Sequence, residues 1–184
     1  MKLDDAIKRR HSIRRYSSQL VKWDKLVRIL DSAGLAPFAG NLCTLRLILV
    51  SDIKLIQEIT EASRQNFFSQ VPALIVVCSD PSIAINEYGI RGYKYSRQQA
   101  GAAIQNMLLE ITDLGLASCW IGLFDDNSIK KILGIPNEVE VEAILPIAHK
   151  SVLRESQRKK LPLPNILFFE RYGRKQRNLT GMAR

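Results

Sequence analysis

Residues 100–115 read AGAAIQNMLLEITDLG and carry the strongest periodic pattern in the chain. Apolar side chains recur there at helical spacing, and Gly115 stands where a helix stop signal is expected. The stripe is apolar on more than one side, which is typical of a helix packed in a core or against a second subunit. The stretch therefore predicts a long core helix. Its apolar positions are Ala100, Ala103, Ile104, Met107, Leu108, Ile111 and Leu114.

Shorter helix and strand patterns lie on both sides of this helix. Helices are predicted from Leu3 to about residue 10, over 24–34, over 53–59 and over 127–133. Buried strands are predicted over 45–51, 71–78, 117–122 and 139–148. The segment 81–95 shows neither period, so we expect an irregular, aromatic-bearing excursion there.

The bulk composition fits one globular domain. The chain has 184 residues, of which 46% are apolar, enough for a substantial core. We therefore expect a single domain over 1–184, with 151–184 as a basic C-terminal extension. No apolar run approaches the roughly 20 residues that span a bilayer, and the N-terminus lacks the apolar region of a signal peptide. A cytoplasmic protein with no membrane partner is expected.

The cysteines and histidines are too few and too scattered for a metal centre. Cys43, Cys78 and Cys119 are far apart and form no CxxC pair, and His11 and His149 are the only histidines. Reduced thiols are expected rather than disulfides or zinc ligands. No Ser/His/Asp set, Walker loop or GxGxxG motif stands out, so any redox chemistry would need a bound cofactor.

A basic cluster follows the first predicted helix, and the formal net charge of +9 indicates an anionic partner. If the backbone is extended there, Arg10, Ser12 and Arg14 point to the same side. Two guanidinium groups and a hydroxyl can together bind phosphate oxygens. Arg158 and Lys160, again two residues apart, could complete the same site. The alternative interpretation of this Arg-rich stretch is a solvated basic surface.

Two further segments are candidates for ligand contact. The loop 37–41 carries Gly40 and Asn41, which tolerate unusual backbone angles and would let a ring system approach. By itself this loop is an ordinary turn. The segment 118–122 ends in a glycine that would let a planar ligand lie against backbone N–H groups. By itself it is a core strand in which Trp120 is a packing residue.

The order of these segments resembles the FMN-dependent nitroreductase family. The resemblance is carried by KRRHSIRRY at 8–16, APFAGNL at 36–42, GAAIQNML at 101–108 and GLASCWIG at 115–122. It runs from about residue 3 to about residue 164. It implies an α+β fold with a central, mostly antiparallel sheet flanked by helices. It also implies an intertwined homodimer, with two FMN sites at the interface and a C-terminal arm on the partner.

The resemblance also assigns residues to the FMN site, none of them with a catalytic role. It implies a phosphate and ribityl segment at Arg10, His11, Ser12 and Arg14, and a loop lent by the partner subunit at Ala39 and Asn41. It implies a strand end whose N–H faces flavin N5 at Ile121 and Gly122, and a basic segment that returns to the phosphate at Arg158 and Lys160.

The activity implied by the resemblance is that of an NAD(P)H-dependent flavin oxidoreductase. NAD(P)H would reduce FMN and leave, and an electron-poor acceptor such as a nitroaromatic or a quinone would then take its place. Cys43-Thr44-Leu45 replaces the Gln-Pro-Trp of many members, so one polar contact to the flavin is expected to be missing. Reductive dehalogenation, flavin consumption and FMN binding alone are alternatives within the fold. A basic nucleic-acid-binding module is the alternative outside it.

Overall fold

A sheet of antiparallel strands forms the centre of the computed structural model, which describes residues 1–151 and 161–176. The strands are β1 (Tyr16–Ser17), β2 (Leu45–Val50), β3 (Ala73–Ser79), β4 (Leu116–Ala117) and β5 (Glu140–Lys150). Their order is β1-β5-β3-β2, with β4 also paired to β5, and each of these pairings is antiparallel.

Helices flank the sheet and bury it on both faces. The helices of the described chain are α1 (Leu3–Arg9), α2 (Trp23–Gly34), α3 (Ile53–Ser63), α4 (Ser82–Tyr88), α5 (Arg91–Asp113), α6 (Asp126–Leu133) and α7 (Leu163–Ile166). Helices α2 and α5 cover one face of the sheet and α3 and α6 the other, whereas α7 is exposed. The prediction of an α+β fold with a mostly antiparallel sheet between helices is confirmed. In the described part of the chain, no helix has the length and apolar character needed to cross a membrane.

The central strand β3 explains why the core has two halves. Side chains alternate across a strand, so Ile75 and Val77 face the core under α2 and α5. Leu74 and Val76 face the second core, which contains residues of α3 and α6. All of β3 is buried, and its continuous apolar run in the sequence follows from this two-sided burial.

The prediction of an irregular segment over 81–95 is wrong, because α4 and the beginning of α5 occupy it. Gly89 ends α4 with a φ of 57° and donates its N–H to Ile85 O at 2.8 Å. Gly92 then lets α5 begin directly against α4, since a Cβ there would lie 2.5 Å from the carbonyl carbon of Ala84. The long helix therefore starts at Arg91 rather than Ala100. The glycine break between two helices obscured the period in the sequence.

The predicted strand over 117–122 is also interrupted. It pairs with β5 as β4 and then only through a single bridge between Ile121 and Ile144. Between these points, Ser118 O accepts the N–H of Ile13 at 2.9 Å. In this register Ser118 O points away from β5, and the residue opposite Cys119 is Pro146, whose missing N–H breaks the ladder.

The three thiols differ in their environment, and this difference is testable. All are free, but Cys43 is exposed whereas Cys78 and Cys119 are buried. Burial, with a smaller contribution from the charge of Glu142, raises the pKa of the Cys78 thiol to about 11, so it stays protonated at pH 8.

We expect one rapidly reacting thiol in a disulfide-exchange titration of the native protein, and all three after unfolding. Cys43→Ser should abolish the rapid phase, and a rapid phase that survives in this variant would contradict the assignment.

Candidate functional site

The segment after α1 is extended, and its burial alternates. Arg10 caps α1 with φ −61° and ψ 117°, and Ile13 is only 4% exposed. Ser12 and Arg14, on either side of Ile13, are both exposed. Because alternate residues of an extended segment share a face, the Ser12 hydroxyl and the Arg14 guanidinium lie on the same outer side of the chain.

An aromatic pair, Phe67 and Tyr16, lies beside Arg14. Its guanidinium carbon lies 5.9 Å from the ring centroid of Phe67, a distance at which the ring face attracts a cation. The ring of Tyr16 lies 6.3 Å from the same ring, and the Tyr16 hydroxyl donates to Ile13 O at 2.5 Å. Neither residue was predicted from the sequence, where only the Tyr at the end of KRRHSIRRY gave a signal.

A small cavity of about 10 Å³ opens on the inner side of this segment, among Arg10, His11, Ser118 and Lys150. Ser118 is 4% exposed, and its Oγ has no hydrogen-bond partner among the described residues. The cavity has room for roughly one water molecule. The cavity is too small for a phosphate group, which would instead lie on the outer side, where Ser12 and Arg14 offer a hydroxyl and a guanidinium group.

The strand end at Ile121 and Gly122 offers one backbone donor rather than two. The N–H of Ile121 donates to Ile144 O at 3.0 Å, and the N–H of Ile144 donates back to Ile121 O at 3.0 Å. In an antiparallel ladder, the N–H of the next residue points away from the paired strand. Gly122 is exposed, and no residue in the described ranges accepts its N–H. Gly122 is thus the residue whose N–H is available to a ligand.

Trp120 lies beside this donor and was interpreted above as a packing residue. Its neighbours Cys119 and Ile121 are each 2% exposed, whereas Trp120 is 43% exposed. A Cβ added at Gly101 would lie 3.9 Å from the indole Cη2, and one added at Gly122 would lie 4.0 Å from Nε1. The indole therefore extends between α5 and the strand end. Strand alternation was the signal that could have placed it on the surface.

The loop that precedes β2 has the backbone geometry expected of Gly and Asn. Residues Ala39–Asn41 form a short 3-10 turn. Gly40 has a φ of 55° and Asn41 a φ of 59°, so two consecutive residues are left-handed. Asn tolerates this region better than other residues with a Cβ, and Gly has no penalty there.

This loop lies far from the basic segment within one chain. Tyr16 pairs with Lys150 at one end of β5. Leu45, which follows the loop, pairs with Ser79, and Ser79 pairs with Glu140 at the other end of β5. The 11 residues of β5 separate these two ends by about 33 Å at the usual rise per residue.

The structure thus joins some of the predicted site residues and separates others. The Ile13–Ser118 hydrogen bond brings the 10–14 segment alongside the 118–122 segment. The loop with Ala39 and Asn41 enters the sheet at the end of β5 opposite to the 10–14 segment. Arg158 and Lys160 lie outside the described residues.

The site offers guanidinium, imidazole, hydroxyl and backbone N–H donors. Groups of this kind bind anionic ligands, so this α+β protein carries a site suited to an anion. The model of the Nitroreductase family matches residues 7–69 and 57–149. The chain belongs to the nitroreductase family of oxidoreductases, as its motifs predicted.

Individual relatives agree with this assignment. A putative NADH dehydrogenase/NAD(P)H nitroreductase of Archaeoglobus fulgidus is 31% identical over 147 residues, with 76% of this chain and 80% of the relative covered. An iodotyrosine deiodinase of Thermotoga neapolitana is 25% identical over 173 residues, covering 80% and 88%. The solved structure of an FMN-dependent nitroreductase of Clostridium difficile superposes with a TM-score of 0.74 at 26% identity, covering 91% of this chain and 98% of that one.

Proposed function

We propose that this protein is an FMN-dependent NAD(P)H oxidoreductase that reduces electron-poor acceptors such as nitroaromatics and quinones in a ping-pong cycle. The observation that carries the proposal is the Ile13–Ser118 hydrogen bond. It aligns an exposed row of phosphate donors with a strand that ends in the unpaired N–H of Gly122. The names of the Archaeoglobus and Clostridium relatives support the two cofactors.

The spacing of these groups suits FMN. Ser118 and Gly122 are four residues apart, about 13 Å along an extended chain, so one ligand can place its phosphate at the first and a ring near the second. Arg14 and Ser12 bind the phosphate, and Arg10 and His11 supply further donors. The Gly122 N–H orients the ring. FMN supplies the hydride chemistry when bound, and no side-chain nucleophile is required.

The distance along β5 supports a homodimeric site. The two ends of β5, one beside the phosphate donors and one beside the strand that follows this loop, are about 33 Å apart, which favours a flavin contacted by the loop of a second copy. Ala39 and Asn41 then serve the flavin of the partner subunit. The segment 161–176 serves as the arm on that partner, because Leu161, Leu163 and Ile166 are each more than half exposed.

Reductive dehalogenation is the second candidate, and the relative named iodotyrosine deiodinase is the observation in its favour. It would use the same site with a haloaromatic acceptor. The basic N-terminal segment, which also suggested a nucleic-acid partner, is accounted for by phosphate binding in an oxidoreductase family.

The test begins with the colour of the purified protein. We expect a yellow preparation whose oxidised-flavin spectrum bleaches anaerobically with NADH or NADPH and returns on adding a quinone, a nitroaromatic or, for the second candidate, a haloaromatic. Parallel lines in double-reciprocal plots would support the ping-pong cycle, and intersecting lines would overturn that part alone. A colourless protein that also ignores added FMN would overturn the proposed function.

A further inference from the structure

Tyr88, the last residue of α4, stands against the left-handed turn at Gly40. A Cβ added at Gly40 would come closer to Tyr88 Oη than van der Waals contact allows, and the next ring atom, Cζ, would lie 3.3 Å away. The Tyr88 ring is half-buried and packs edge-on to Tyr95 of α5, with 5.1 Å between ring centroids. This ring packing keeps the Tyr88 hydroxyl against the turn at Gly40.

Gln99 of α5 holds the other side of the loop. Its Oε1 accepts the backbone N–H of Thr44 at 3.2 Å and the Thr44 hydroxyl at 3.0 Å. Gln99 is 3% exposed and Thr44 is fully buried. A backbone N–H can only donate, so the amide atom facing Thr44 must be the oxygen.

The second amide atom of Gln99, Nε2, indicates that a glutamine is needed at this position for its oxygen atom. Its Nε2 is buried without a hydrogen-bond partner in the described part of the chain. An unsatisfied buried donor is unfavourable, and an apolar side chain would avoid it. The two bonds from Oε1 to Thr44 are what the glutamine supplies here.

We propose that Tyr88 and Gln99 are positioning residues that hold the Gly40–Asn41 turn in its flavin-binding conformation. The proposal deepens and rests on the proposed function. The segment 81–99 thereby acts as a brace for the loop that is lent to the partner. Tyr88 contacts the loop at Gly40, and Gln99 is hydrogen-bonded to it at Thr44. A preformed loop loses less conformational entropy when it binds a ligand.

The first test uses the full-length protein with Tyr88→Phe and Gln99→Met, with Gln99→Glu as the conservative variant that keeps an oxygen facing Thr44. In the apo-protein, hydrogen exchange of the amides at 39–44 is expected to accelerate in Gln99→Met and to return toward wild type in Gln99→Glu. The Kd for FMN is expected to rise about 2- to 10-fold in Tyr88→Phe and in Gln99→Met, the effect of one lost hydrogen bond or contact. Tyr93→Phe, which changes an exposed tyrosine at the beginning of α5, is the matched control and should change neither measurement.

A double variant tests the Tyr88 contact by a reversal of sign. Tyr88→Phe is expected to weaken FMN binding in the wild-type background. In a Gly40→Ala background it should strengthen binding, because it removes the atom that the new Cβ meets. Weakening in both backgrounds would overturn the contact, even if Gln99→Met fails to fold.

The outcomes separate this inference from the proposed function. Wild-type protein that does not bind FMN contradicts the proposed function, whereas loop exchange rates are measured without FMN and still test the brace. Wild-type protein that binds FMN, with unchanged loop exchange and unchanged Kd in all the variants, overturns the inference alone.

Discussion

Arg14→Ala is expected to weaken FMN binding by a factor of roughly 10 to 150. The factor corresponds to a charge-assisted hydrogen bond of about 1.5–3 kcal/mol. Arg14 is exposed on the same side as Ser12, and the Phe67 ring 5.9 Å away orients its guanidinium. The measurement is the Kd for FMN, from quenching of flavin fluorescence when the apo-protein is titrated.

Arg15→Ala is the matched control for Arg14→Ala. It removes the same charge from the adjacent, exposed position, but its side chain alternates to the other face of the extended segment. We expect a small change in Kd for this variant. Arg14→Lys should give an intermediate loss, since it keeps the charge but not the two-pronged geometry. Equal losses in Arg14→Ala and Arg15→Ala would show that net charge, not a phosphate contact, controls affinity.

Gly92→Ala is expected to lower the free energy of unfolding by about 1–3 kcal/mol, the usual cost of overpacking. The new Cβ would lie 2.5 Å from the carbonyl carbon and 2.6 Å from the carbonyl oxygen of Ala84. Ala84 is fully buried in α4, so the backbone there cannot move aside without disturbing the α4–α5 contact. For a chain of this size, each kcal/mol lowers Tm by roughly 2–4 °C.

Gly101→Ala in the same helix is the control and should have the opposite sign. Its nearest new contact would be Trp120 Cη2 at 3.9 Å, an ordinary packing distance. Replacing a helix-interior glycine by alanine stabilises by up to about 1 kcal/mol. Thermal and urea unfolding of both variants measure the difference. A Gly92→Ala protein as stable as the wild type would mean that α4 and α5 do not approach this closely.

Several features of the fold and site could be predicted because they depend on local sequence. The 100–115 stretch determines a helix by its own apolar period, and the continuous apolar run of β3 determines a strand buried on both faces. The alternation of Ser12, Ile13 and Arg14 needs only an extended backbone. The ordered motifs fixed the family, since each motif places a particular backbone geometry or donor at a particular point of the chain.

The tertiary structure decided what depends on contacts between separate helices and strands. The close approach of Gly92 to Ala84 turns the aperiodic 81–95 segment into two helices, which no local pattern shows. Pro146, which lies opposite Cys119 and has no N–H, interrupts a strand that looks continuous in the sequence. Both effects depend on which segments lie side by side in the fold, and local periodicity does not encode such pairings.

The predicted FMN site shows the same division. The sequence by itself determined the chemical types of its donors: guanidinium and hydroxyl groups near the N-terminus, a left-handed loop, and a strand that ends in glycine. Only the tertiary structure decided which of them can meet. The length of β5 separates the Asn41 loop from Arg14 in one chain, and pairing with Ile144 leaves Gly122 rather than Ile121 with an available N–H. Strand length and hydrogen-bond competition are properties of the assembled sheet, and they determine which donors share a ligand.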